Sequence, residues 1–101
     1  MNLKFMKALA LLDRGRYDLA EVNIKSAISE CNEIFEVIPM KACYAELLCE
    51  SERYSEALSI AESILENSEA EENYDLISEF NTARYIKDYI NSKKIKGDNT
   101  Q

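Results

Sequence analysis

The run Gly15-Arg16-Tyr17-Asp18-Leu19-Ala20 returns as Glu52-Arg53-Tyr54-Ser55-Glu56-Ala57, with the two tyrosines 54 − 17 = 37 residues apart. Held at that offset, the match spreads to Lys4/Lys41, Ala8/Ala45, Leu11/Leu48, Ser26/Ser63 and Ile28/Leu65, with Asp13/Glu50 and Ala27/Ile64 conservative. One unit is written twice. A repeat of this length marks stacked helical hairpins, each too small to bury its apolar face without a neighbour.

Composition agrees. The chain has two Gly and one Pro, 47% hydrophobic and 31% charged residues in a length of 101, which describes one helix-biased globular domain and excludes an all-β fold. A balance of 12 Lys+Arg against 19 Asp+Glu gives −7. That charge repels phosphate backbones, so nucleic acid is not an expected partner, while basic proteins are steered inward.

The residue inventory argues against an enzyme. There is no histidine, so a cysteine nucleophile lacks its usual base and a zinc site has at most thiolate ligands. No Gly-rich phosphate loop is present, and Glu69, Glu71 and Glu72 stand where a helix N-terminus favours carboxylates. No catalytic, cofactor or metal residues are expected. Cys31, Cys43 and Cys49 are odd in number, have no close pair spacing and sit in apolar helical patterns, as small buried side chains of a reducing compartment do. Lys7 interrupts the apolar run from Leu3 to Leu12, against a signal peptide, and no segment reaches the length of a membrane span. The expected location is the cytoplasm.

Taken in order, the first helix is expected from Asn2 to Asp13, stopped by Gly15 in a left-handed turn. The second opens with Asp18 as N-cap, carries Leu19, Ala20, Val22, Ile24, Ala27, Ile28 and Cys31, and extends past Glu33 through Ile34 and Phe35. Ala20 and Ala27 permit close approach of the paired helix, and the Tyr17 ring closes the turn. Ile38-Pro39 imposes an extended residue ahead of a third helix from Met40 to Glu50. Ser55 caps a fourth helix running to Leu65. Ser68-Glu69-Ala70-Glu71 reads as a capping box opening a long closing helix with Leu76, Ile77, Phe80, Ala83, Tyr85, Ile86, Tyr89 and Ile90 on its apolar face and lysines at its far end. The expected fold is therefore all-α, two antiparallel hairpins and a closing helix, about five helices in a right-handed solenoid fragment, with a degenerate third hairpin as the alternative to the closing helix. Residues 1–96 form the domain and 97–101 a disordered tail.

At these residues the chain resembles the tetratricopeptide repeat (TPR) family, which places a small residue in its first helix, a Gly-x-Tyr turn and two small residues in its second. Ala8, Gly15, Tyr17, Ala20 and Ala27 match in the first copy, and Tyr44, Ala45, Leu48, Tyr54, Ala57 and Ala61 in the second. Lys4 and Lys41 stand where the family prefers a large aromatic, Lys7 where it prefers Leu, and the copies are slightly longer than the family period. The resemblance covers roughly residues 2–68.

It implies a concave groove lined by the first helix of each repeat. Phe5, Leu9, Leu12 and Asp13 would line it from the first copy, and Ala42, Glu46, Cys49 and Glu50 from the second. An apolar groove with an acidic edge suits a partner's amphipathic helix carrying basic residues. The small cytosolic chaperones of type III secretion systems are similar in size, in having few helical repeats and in masking an aggregation-prone subunit this way. The expected function is a non-enzymatic chaperone or assembly adaptor in a hetero-oligomer. The alternatives are a self-associating unit whose apolar faces pair as a homodimer, or a peptide-sensing regulatory module. Phe5, Leu9 and Leu12 are either partner contacts or covered by the closing helix folding back.

Overall fold

The structure, a computed structural model, describes residues 2–99, with side chains for all of these except residue 68 and residues 94–99. The chain is all-α, and no strand occurs among the described residues. Its elements are α1 (Leu3–Asp13), α2 (Tyr17–Glu30), α3 (Ile34–Glu50), α4 (Tyr54–Leu65), the short α5 (Ser68–Glu71), a 3₁₀ turn (Tyr74–Leu76) and α6 (Ile77–Asn99). The α1–α2 and α3–α4 pairs are helical hairpins, and α6 packs against both α3 and α4. The tail expected over 97–101 lies outside the described residues at 100 and 101, while α6 continues to Asn99.

The doubled sequence produces a doubled turn. The Arg16 N–H donates to the Leu11 carbonyl at 2.9 Å and the Gly15 N–H to Leu12 at 3.0 Å. Thirty-seven residues on, Arg53 donates to Leu48 at 2.9 Å and Glu52 to Cys49 at 3.1 Å. This is the Schellman pattern, which pairs the last carbonyls of a helix by a left-handed residue just beyond its end. That residue is Gly15 at φ 72° in the first copy and Glu52 at φ 61° in the second. The hinge then straightens at Arg16 (φ −88°, ψ 67°) and Arg53 (φ −91°, ψ 68°). Helix resumes at the tyrosine. Asp18 and Ser55 are therefore second helical residues and not N-caps; the arginines hold the cap positions, without side-chain hydrogen bonds.

Three further expectations are corrected. The second helix ends at Glu30, where Cys31 turns extended (φ −90°, ψ 126°). The third begins at Ile34 rather than Met40, with the Glu33 carboxylate accepting the Phe35 N–H at 3.2 Å and Pro39 inside the helix. Proline there forfeits one bond and crowds the carbonyl a turn back, at about 3 kcal/mol. Burying Val37, Ile38 and Met40, all 9% exposed or less, contributes about 1.5–3 kcal/mol each and outweighs it. Ser68, expected to open a capping box, is instead the first helical residue of α5. Asn67 takes the cap position, and the chain breaks after α5 because the Asn73 side chain accepts the Asp75 N–H at 2.8 Å and restarts the helix.

The core is a main seam with a smaller cluster of Phe5, Ala27 and Met40 beside it. Ile24, Ile38, Leu48, Ile64, Phe80 and Ile90 are its largest fully buried side chains, and Ala8, Ala20, Ala27, Ala45, Ala57, Ala61 and Ala83 have no exposure at all. Alanine at these positions lets helix axes approach closely. Polar ties hold the edges. Arg53 donates to Glu21 at 2.6 Å and to Glu56 at 2.7 Å, and the Tyr44 hydroxyl donates to Glu21 at 3.1 Å, which clamps the first hairpin to the second. Lys4, where the TPR family prefers an aromatic, donates to Ser26 at 2.8 Å and pairs with Glu30, joining α1 to α2. Principal extents of 45 × 33 × 19 Å describe a slab about two helices thick.

Candidate functional site

A cleft of about 840 Å³ opens between α3 and α6. Glu46, Cys49 and Glu50 form its α3 wall; Tyr74, Asp75, Ile77, Ser78, Asn81, Thr82, Tyr85 and Ile86 form the other. The Asn73 break creates this wall: with the 3₁₀ turn in place, Leu76, Phe80, Ala83, Ile86 and Ile90 turn into the core. Tyr74, Ile77 and Tyr85 are left outward at 86%, 45% and 72% exposure.

The expected groove residues divide between several places. Glu46, Cys49 and Glu50 come together in the cleft. Ala42 lies beneath it at 5% exposure, as part of the core. Phe5 is buried against Ala27 and Met40 where α1, α2 and α3 meet, and Leu12 packs half-buried on the main core. Leu9 and Asp13 are exposed. None of the four α1 residues lines the cleft, because α3 meets the first hairpin chiefly through α2.

The α6 contribution corrects the expected apolar face of the closing helix: Ile77, Tyr85 and Tyr89 belong to it by periodicity but are exposed. The available signal was the spacing of Tyr74, Ile77, Asn81 and Tyr85, which follows a second line beside Leu76, Phe80 and Ala83.

The far end of the cleft carries a cluster of rings. Tyr54 meets Tyr89 edge-on at 6.2 Å, and Tyr85 stacks on Tyr89 at 6.4 Å with 6° between planes. The Lys93 ammonium stands 5.4 Å from the Tyr54 centroid and 5.2 Å from that of Tyr89, within cation–π range. Tyr17 fares differently. It is 52% exposed and shares a shallow hollow with Leu47, Glu50 and Ser51, so it does not close its turn as a core residue. Tyr54 has α6 to pack on, whereas Tyr17 has only the end of α3.

Electrostatically the cleft is acidic. Burial, and then the Glu50 charge one turn on, push the Glu46 carboxyl above its ordinary range. Burial raises the Cys49 thiol, with Glu50 adding to it and Lys93 opposing; burial followed by Glu46 and Glu50 pushes Cys43 up to about 11. Both thiols are protonated near neutrality and poor nucleophiles. Among the described residues no group of three or more Cys, Asp or Glu is placed to hold a metal ion, and no helix is long and apolar enough to cross a membrane. The chain matches no family model, no curated protein and no solved structure.

Proposed function

We propose that this chain is a non-enzymatic protein-binding module of TPR-like build. It shields an apolar amphipathic helix of a partner in the cleft between α3 and α6, as a cytoplasmic chaperone or assembly adaptor does. The observation that carries the reading is the cleft's composition: Tyr74, Ile77 and Tyr85 exposed along one wall, with Glu46, Glu50 and Asp75 at the rim. Aromatic rings give large contact area at small entropic cost, and carboxylates select a helix whose apolar stripe is flanked by Lys or Arg. The unpaired cysteines fit a reducing compartment. The TPR-like reading rests on the repeated turn and on the small residues at helix contacts.

Two labelled amphipathic peptides with the same leucine stripe, one flanked by lysine and one by glutamate, test it by fluorescence anisotropy. The basic peptide is expected to bind in the micromolar range and the acidic one at least about tenfold more weakly. Tyr85→Ala and Glu50→Lys should each weaken the basic peptide. Equal binding of both peptides, or indifference to both substitutions, would remove the cleft as the binding site.

A further inference from the structure

The first hairpin and the rest of the chain carry opposite charge. Residues 1–30 hold five Lys+Arg and four Asp+Glu, 5 − 4 = +1, while residues 31–101 hold seven and fifteen, 7 − 15 = −8, which together give the −7 of the whole chain.

The basic hairpin also presents an uncovered apolar stripe. Leu3 and Met6 on α1 are 79% and 48% exposed. With Ala10 they follow one helical line that ends at the exposed Asp13, flanked by the exposed Lys7 and Arg14. Their counterparts at the 37-residue offset are Met40, Cys43 and Leu47 of α3. These are buried or half-buried, with Met40 and Cys43 packed against the first hairpin. The same register positions are thus apolar in both copies, covered by a helical neighbour in one and bare in the other. On α2 the contrast is sharper: exposed Leu19 and Val22 stand where α4 has Glu56 and Ser59.

The α1 stripe is an amphipathic helix with basic flanks, the ligand chemistry that the acidic cleft selects. We propose that the resident occupant of the cleft is α1 of a second copy of this chain. Each chain presents one stripe and one cleft, so a reciprocal exchange closes after two chains as a two-fold dimer. The inference rests on the cleft being a helix-binding site, and it makes the partner helix a competitor that opens the dimer.

Charge reversal across two chains tests it by sedimentation equilibrium. Wild type is expected to dimerise. Lys7→Glu/Arg14→Glu gives a chain whose α1 repels its own kind of cleft, and Glu46→Lys/Glu50→Lys a chain whose cleft repels its own kind of α1. All four residues are exposed, and unchanged helical circular dichroism checks the fold. Each variant alone should lose dimer affinity by about tenfold or more, and their equimolar mixture should recover it, because both contacts of the mixed pair are again complementary. A monomeric wild type overturns the proposal without recourse to any variant, and so does a mixture that fails to recover. The lysine-flanked peptide separates the two readings. Its binding to a wild type that never dimerises leaves the cleft reading standing and removes this one; no binding to wild type or to the α1-reversed chain removes both.

Discussion

Glu52 holds a conformation that its counterpart Gly15 holds freely. Both residues are left-handed, at φ 61° and 72°, and both donate to the same carbonyl position of the preceding helix. A side chain in this region costs about 1–2 kcal/mol, offset in part by the greater freedom of glycine in the unfolded chain, about 0.4–1 kcal/mol. Glu52→Gly is therefore expected to stabilise the protein by about 0.5–1 kcal/mol, read as a raised urea midpoint at unchanged slope. Gly15→Ala should destabilise it by a similar amount, about 0.5–1 kcal/mol, through the backbone alone, since a Cβ at Gly15 would meet nothing within 4 Å. Titration adds a second residue-scale expectation. The Arg53 hydrogen bond, more than the one from Tyr44, holds the Glu21 carboxyl below its ordinary 4.5. Glu21 therefore contributes stability that is present above that value and lost as pH falls through the folded pKa. Glu46, with its carboxyl raised by burial and Glu50, has the opposite sign: the protein loses stability as pH rises past 4.5 through the folded pKa of that residue. Thermal melts from about pH 3 to pH 7 should show the acid limb flattened in Glu21→Gln and steepened in Glu46→Gln.

At the scale of elements, what could be read in advance follows from what each signal depends on. The two hairpins, their small contact residues and the turns at residues 15 and 52 come from local spacing, which a repeat states twice. Helix starts were misplaced wherever tertiary burial or a side-chain cap outweighed propensity. Pro39 is the clearest instance: it marked a boundary by its own chemistry, yet α3 begins five residues earlier because Val37, Ile38 and Met40 are buried. The cleft was half legible. Its α3 wall follows from resemblance to a repeat family, but its α6 wall depends on the rotation of a helix restarted by Asn73: the spacing shows the line through Tyr74, Ile77, Asn81 and Tyr85 without showing which line is buried. The proline yields a prediction. Pro39→Ala restores a donor to the Phe35 carbonyl; an interior penalty of about 3 kcal/mol, less the roughly 1 kcal/mol by which proline restricts the unfolded chain, leaves a gain of about 2 kcal/mol. A fall in the urea midpoint would show that the ring's packing matters more than the helix it interrupts.

For the whole molecule, the uneven charge matters more than its sum. A chain of −7 repels copies of itself at long range, but +1 on the first hairpin against −8 elsewhere favours one mutual orientation at contact. Association through α1 and the cleft should therefore weaken as sodium chloride rises from about 0.05 to 0.5 M, as screening shortens the reach of exposed charges. Sedimentation at several salt concentrations reads this directly, and an association that strengthens with salt would assign the contact to apolar burial alone. The slab shape has a bearing on cooperativity too. With α6 laid across both helices of the second hairpin, Phe80 and Ile90 join the same seam as Leu48 and Ile64, and loss of α6 would leave that hairpin open along its length.

That arrangement sets an order of events on the ribosome. Each hairpin joins segments adjacent in the chain, so its helices can pair as soon as they emerge, whereas the cover for Leu48 and Ile64 is made only after both hairpins. Synthesis of the 23 residues of α6 takes about 1–5 s at the usual rate of translation. For that interval the nascent chain displays a bare hydrophobic flank, and whatever meets it first, a nascent-chain chaperone or a neighbouring polysome product, competes with α6.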